Sequence, residues 1–457
     1  MPVKVYTHFV QANPNSLLAK VLRGSTSYIT KSSDQGELHP WSTWPTLHRG
    51  VDNTAHHIKD LGEDLNKRDA SFPPVWKLLT KQGLTVGTFG SLHTFPLPSD
   101  LTNYAFVVPD PFANESETLP RSIEPFQAFN LAMSRRSGRS VDRGIDWKRA
   151  FRLLLALPGM GLRMKTIGKT VSHLWSERMA PWKASRRRAF QSILAFDVYF
   201  KLLKNHQPTF TTFFSNHVAS AMHRYWAAAF PEDYANNNLP LDWIERYKDE
   251  IEWSMWQTEE MLKDLISFIH KNPEYKLIIA SSMGQEATKA ELIHHELFLG
   301  NYEQLNHLLG NVGIEPVSAM HPQYNFTVPS DSAGLVEEQL ATISINSKPL
   351  RFRRKEDKFF SIDLGYPNIA QFDVQMGGRK LDIANLGFEV RDIDDQSGGT
   401  AYHIPEGSFY VYDPQHPVTN AEPEEVDLRE VAPSILKLFG VDRPDYMKEG
   451  IISAIYE

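Results

Sequence analysis

The chain of 457 residues has no cysteine. That absence excludes disulfide staples and thiolate metal sites, so any metal must rest on His, Asp, Glu, hydroxyl or amide groups. It also lacks an excess of positive charge. Lys and Arg number 48 against 55 Asp and Glu, for a formal net charge of −7. Nucleic-acid binders are usually basic, so no nucleic-acid partner is expected. No apolar run approaches the roughly 20 residues that a membrane span needs, and the opening residues from Met1 to His8 carry no apolar export core. The expectation is a cytoplasmic protein with no membrane partner. A homo-oligomer is compatible with this composition.

Hydrophobic residues make up 41% and charged residues 23%, enough for a sizeable buried core. Val3 to Val10 reads as a short buried strand, and residues 15–22 as a helix. Pro74 to Gln82 reads as a helix stopped at Gly83, with strands at Leu84 to Phe89 and Tyr104 to Val108. A strand from Thr209 to Phe214 leads into a helix from Asn216 to Ala229. A long helix from Trp243 to His270 then precedes a strand from Lys276 to Ala280. Strands alternating with helices predict an α/β fold with a central, largely parallel sheet between helices.

Two stretches break that rhythm. Residues 116–205 are helical in pattern and rich in Lys and Arg, which predicts a helical basic insertion acting as a lid. Residues 336–395 alternate with period two, which predicts a β-rich insertion. The core is then expected in three pieces: 1–115, 206–335 and 396–457.

Several polar segments sit where strands should end. They are Ser42-Thr43-Trp44-Pro45-Thr46-Leu47-His48-Arg49-Gly50, then His217 through His223 to Trp226, then Ala280-Ser281-Ser282-Met283-Gly284-Gln285, then Gly399-Thr400-Ala401-Tyr402-His403. In this order they resemble the alkaline-phosphatase superfamily, in its phosphodiesterase and nucleotide-pyrophosphatase branch. The first resembles the nucleophile segment, the second "D-x-x-G-H-x-Y-W", the third "S-D-H-G" and the fourth "G-T-H-x-P-x-G". The tail from Asp427 to Leu436 resembles the closing "D-I-A-P-T-I-L". The likeness spans the core from end to end and leaves out the two insertions.

The resemblance implies hydrolysis or transfer of phosphate, phosphodiester or sulfate esters by two divalent ions, usually zinc. It places the nucleophile at Thr43 and metal ligands at His223 and His403. It also exposes losses. The first-strand Asp falls near Gln11, the "SDHG" Asp and His fall on Ser282 and Met283, and the "DxxGH" Asp falls on Ala219. An amide, a hydroxyl and a thioether hold a divalent ion poorly. One ion, with zinc the expected metal, is therefore anticipated at His223 and His403, and a two-metal centre is not. Asn216, His217, Ser282, Gln285, His48 and Arg224 are the candidate contacts to a small anionic substrate. A second reading stays open: a family member that binds an anionic ligand without two-metal chemistry.

Overall fold

A computed structural model describes residues 1–136, 159–235, 238–355, 358–416, 418 and 422–457. Residues 137–158 of the expected helical insertion lie outside these residues.

The chain opens with a helix, Val3–Ala12, rather than a strand. Val5, Tyr6 and Phe9 are its buried residues, a one-sided spacing that suits a helix and not a two-residue alternation. Gln11 is therefore an exposed residue on this helix and stands in for no strand-end Asp. The first strand is Thr26–Lys31. It pairs in parallel with Glu424–Asp427 and antiparallel with Glu406–Tyr412, which pairs onward with Leu277–Ala280. A second sheet sets Val86–Phe89 between Tyr104–Val108 and Phe210–Phe213, all parallel. Three of these five pairings are parallel. The return strand Glu406–Tyr412 supplies both antiparallel ones.

Helices cover the sheets. Val431–Leu438 and Val75–Lys81 share one apolar cluster with Tyr28, Val86, Phe409 and Val411. On another side, helix His217–Ala229 packs with Val3–Ala12 and Glu250–Ile269 around Phe9, Tyr225, Trp226 and Ile251. The helix expected to run from Trp243 to His270 is two helices, Leu241–Tyr247 and Glu250–Ile269. Part of the helical stretch is integral to the core. Helix Arg187–His206 buries Phe190, Phe196 and Tyr199 in one cluster with Phe89, Phe106 and Phe126. The β-rich stretch builds one four-stranded sheet of its own and completes a second with two earlier strands, Glu315–Val317 and Gln323–Thr327, around a core of Phe326, Val336, Ile345, Phe360 and Phe388. The helix Ala333–Ala341 leads into it. Arg353 and Lys355 tie it to the core at the buried Asp60, at 2.9 and 3.2 Å.

Candidate functional site

Thr43 lies in the first turn and a half of helix Pro40–Arg49. A buried polar network fixes that helix. The Thr46 hydroxyl donates to Asp34 Oδ1 at 2.6 Å, and the Asn53 amide donates to the same oxygen at 2.8 Å. His56 Nδ1 accepts from the Ile58 amide at 3.0 Å, so its Nε2 carries the proton and donates to Thr46 Oγ1 at 3.1 Å. Asp34 is thus the acidic residue that follows the first strand, and its carboxylate anchors the helix. Burial raises its pKa.

Thr43 is fully buried. Its hydroxyl donates to the His39 carbonyl one turn back at 3.2 Å, and the Ser282 hydroxyl donates to Thr43 Oγ1 at 2.7 Å. The pairing of Thr43 with Ser282 matches the expected neighbourhood of nucleophile and "SDHG" segments. The pair itself contains no base that would deprotonate the hydroxyl.

The two histidines expected to hold a metal meet. His223 sits on helix His217–Ala229, and His403 on strand Ala401–Ile404, which pairs with Gly284–Ala287. The strand is drawn in because the Thr400 amide donates to the His223 carbonyl at 2.7 Å. His223 Nδ1 donates to the Ala401 carbonyl at 2.8 Å, and His403 Nδ1 to the Leu38 carbonyl at 2.6 Å. Carbonyls only accept, so both protons sit on Nδ1 and both Nε2 lone pairs point inward. The two Nε2 atoms face each other at 3.0 Å. Facing lone pairs repel unless a proton or a cation lies between them. A backbone carbonyl on Nδ1 is the arrangement that orients a metal-binding imidazole. Burial lowers the His403 pKa to about 3, which keeps its Nε2 free of a proton.

Gln285 lies directly across the strand pair from His403. Its Nε2 donates to the Ala219 carbonyl at 3.2 Å, at the position of the missing Asp, while its Oε1 is buried without a hydrogen-bond partner. Two nitrogens on one zinc, each at about 2.0–2.1 Å in tetrahedral geometry, lie roughly 3.3 Å apart. The residues present therefore fit one ion, with His223 and His403 as ligands and the amide oxygen of Gln285 nearby. They do not fit two. Among the described residues no three His, Asp or Glu side chains converge on a metal position.

A cavity of about 1420 Å³ opens onto this site and is lined by His223, His403, Ser282, Gln285, Asn216, Trp41 and Trp44, among others. Asn216 is exposed at its edge. His48 also borders it, held between Trp44 and Trp76, with its pKa lowered by burial to about 3. His217 is engaged by the protein at both ring nitrogens: Nδ1 accepts from Ser215 at 2.7 Å and Nε2 donates to the Ser254 carbonyl at 3.1 Å. It pins two helices together rather than presenting a nitrogen to a ligand. Arg224 donates to Ser397 Oγ at 3.0 Å and approaches Asp395 at 3.5 Å. The carbonyls of Leu38 and Ala401, which set the tautomers of the His223–His403 pair, left no signal in the sequence.

No family model matches the chain, and no curated protein matches it. Among solved structures it is similar to human ectonucleotide pyrophosphatase/phosphodiesterase 5, at 11% identity over 94% of this chain and 91% of that one, with a TM-score of 0.37. The murine counterpart gives 9% over 96% and 94%, with a TM-score of 0.39. A mutant TAB5 alkaline phosphatase with Mg in its M3 site gives 9% over 97% and 96%, with a TM-score of 0.35. Such identities and scores do not decide a family. The α/β class stands on the chain's own strands and helices.

Proposed function

We propose that this chain is a member of the alkaline-phosphatase superfamily that hydrolyses or transfers a phosphate, phosphodiester or sulfate ester through a reduced, single-ion site. The observation that carries the reading is the 3.0 Å approach of His223 Nε2 and His403 Nε2, each with its Nδ1 proton held by a backbone carbonyl. The order of the sequence segments supports the superfamily. A divalent ion, zinc by preference for imidazole donors, would supply Lewis-acid polarisation of an ester oxygen. The chain's own residues do the rest: His223 and His403 orient the site, Thr43 stands as the nucleophile, and Ser282 fixes its hydroxyl. A small anionic substrate enters through the cavity past Asn216. The reading includes a cytoplasmic location, which a chain free of disulfides suits.

A second reading has one specific observation in its favour. Thr43 is fully buried, with its hydroxyl bonded to His39 and Ser282. On that reading the cavity binds an anionic ligand without turnover.

Elemental mass spectrometry of the purified protein, with and without His223→Ala and His403→Ala, tests the ion. About one metal per chain, lost in the double variant, is expected. Turnover on a panel of phosphate and sulfate esters then separates the two readings. Metal with turnover supports the hydrolase, and metal with ligand binding alone supports the second reading. No metal in either protein sinks the single-ion site.

A further inference from the structure

Helix Met164–Met179 is amphipathic the wrong way round for a helix packed on a protein core. Its buried residues are Thr166, His173 and Glu177. They face inward onto polar and aromatic partners: His173 stacks on Phe190 at 4.4 Å, and Glu177 pairs with Arg187. Ile167 and Leu174 are half-buried, but four of its large apolar side chains point outward. Met164 is 79% exposed, Val171 60%, Trp175 67% and Met179 83%. At about 100° per residue these four fall on one stripe, some 80° wide, along roughly 22 Å of helix. They make up four of the eleven most exposed large apolar side chains among the described residues.

Single exposed apolar residues need no explanation, but a continuous stripe along one helix marks an interaction surface. The charges beside it identify the partner. Arg178 lies on the same helix and Lys183 follows it, Lys165 and Lys169 turn aside to Glu260 and Gln257 of the neighbouring helix, and the helix's one acid, Glu177, is buried. Arg178 lies over the Trp175 ring at 5.7 Å, and Lys183 over Trp182 at 5.6 Å. In a chain of net charge −7, Arg178 and Lys183 give the tryptophan end of the stripe a basic border. Apolar residues with a tryptophan, bordered by cations, match a lipid interface. The apolar stripe enters the acyl boundary, the indole sits at the headgroup level, and the cations meet anionic headgroups.

We propose that helix Met164–Met179 seats the protein on an anionic lipid surface, lying in the interface plane. This is compatible with the finding that no helix among the described residues is long and apolar enough to cross a membrane. It stands apart from the proposed chemistry at His223 and His403.

Flotation of the full chain with lipid vesicles tests the proposal. The wild type is expected to float with vesicles of phosphatidylcholine and phosphatidylglycerol and to stay behind with phosphatidylcholine alone. The triple variant Met164→Ser, Trp175→Ser, Met179→Ser is expected to lose flotation. Arg178→Glu with Lys183→Glu is expected to weaken it at least tenfold. Leu241, 79% exposed on another helix, serves as the control, and Leu241→Ser is expected to float like the wild type. All substituted positions lie outside the core, so unchanged thermal melting is the check on folding. The proposal is overturned if the wild type ignores anionic vesicles or if the triple variant floats as well as the wild type. It is equally overturned if the wild type is a dimer that the triple variant converts to monomer with no vesicle binding, which would make a second copy the partner.

Discussion

Gln285 is the side chain through which the charge of the His223–His403 site can be tuned. Its Oε1 is buried without a partner across from His403, and its Nε2 holds the Ala219 carbonyl. Gln285→Glu replaces that donor with a carboxylate, which should destabilise the metal-free protein by about 1–3 kcal/mol. With zinc the same carboxylate becomes a ligand, so the rise in melting temperature on adding zinc should exceed that of the wild type. Gln285→Leu should weaken zinc binding roughly tenfold. Competition against a chelator and melting with and without zinc read both effects, and identical behaviour of all three proteins would show that Oε1 has no part in the site. Thr43 separates structure from chemistry in a similar way. Thr43→Val keeps the shape but strands the Ser282 hydroxyl, at about 1–3 kcal/mol. The double variant with Ser282→Ala should cost less than the two single losses together, because the two residues are in direct contact. If Thr43 is the nucleophile, Thr43→Val abolishes ester turnover while Thr43→Ser retains it.

At the scale of elements, the parallel strands depend on one close approach. Gly87 sits beside Phe106 on the neighbouring strand, and a Cβ there would lie 2.3 Å from the ring. Gly87→Ala should destabilise the protein by about 1–3 kcal/mol through overpacking, measured by chemical denaturation. The sequence carried this pair of strands well, because Val86–Phe89 and Tyr104–Val108 are β-branched, aromatic and bounded by turn residues. Helix Met164–Met179 falls within the stretch expected to be helical, although its inverted faces were not legible. The opening segment misled because Val3, Val5 and Val10 suggest a strand, while burial follows Val5, Tyr6 and Phe9. That error moved the first strand by some twenty residues and assigned the lost acid to Gln11. Asp34, which does follow the first strand, could have been found from its place eight residues before Ser42. The histidine pair was legible only through the family likeness: 180 residues separate His223 from His403, and no local period links them.

The whole molecule holds an unusual number of neutral buried histidines, and they set its response to acid. Burial lowers the pKa of His48, His56 and His403 to about 3, and of His93 and His217 to about 4. In the unfolded chain each returns to about 6.5. Below that value the unfolded state binds protons that the folded state refuses, so stability falls as pH falls, by at most about 1.4 kcal/mol per pH unit for each histidine. Asp110 acts in the opposite sense. Burial raises its pKa to about 6, so the folded state takes up a proton first and gains stability between roughly pH 6 and 4. Burial also raises the pKa of Asp34 and of Glu430, which act with Asp110, and five strongly shifted histidines against these three carboxylates leave the histidines dominant. For a chain of this length the unfolding entropy is about 1 kcal/mol/K, so the melting temperature should drop by roughly 5 °C per pH unit between pH 6 and 4.5. His56→Gln with His217→Gln removes two of the five groups while leaving a side chain able to hydrogen-bond at each position. That variant should melt lower at pH 7.5, since its buried contacts are poorer, yet lose less with acid. Its curve should approach that of the wild type as pH falls, and parallel curves across the range would show that these two histidines do not carry the acid sensitivity.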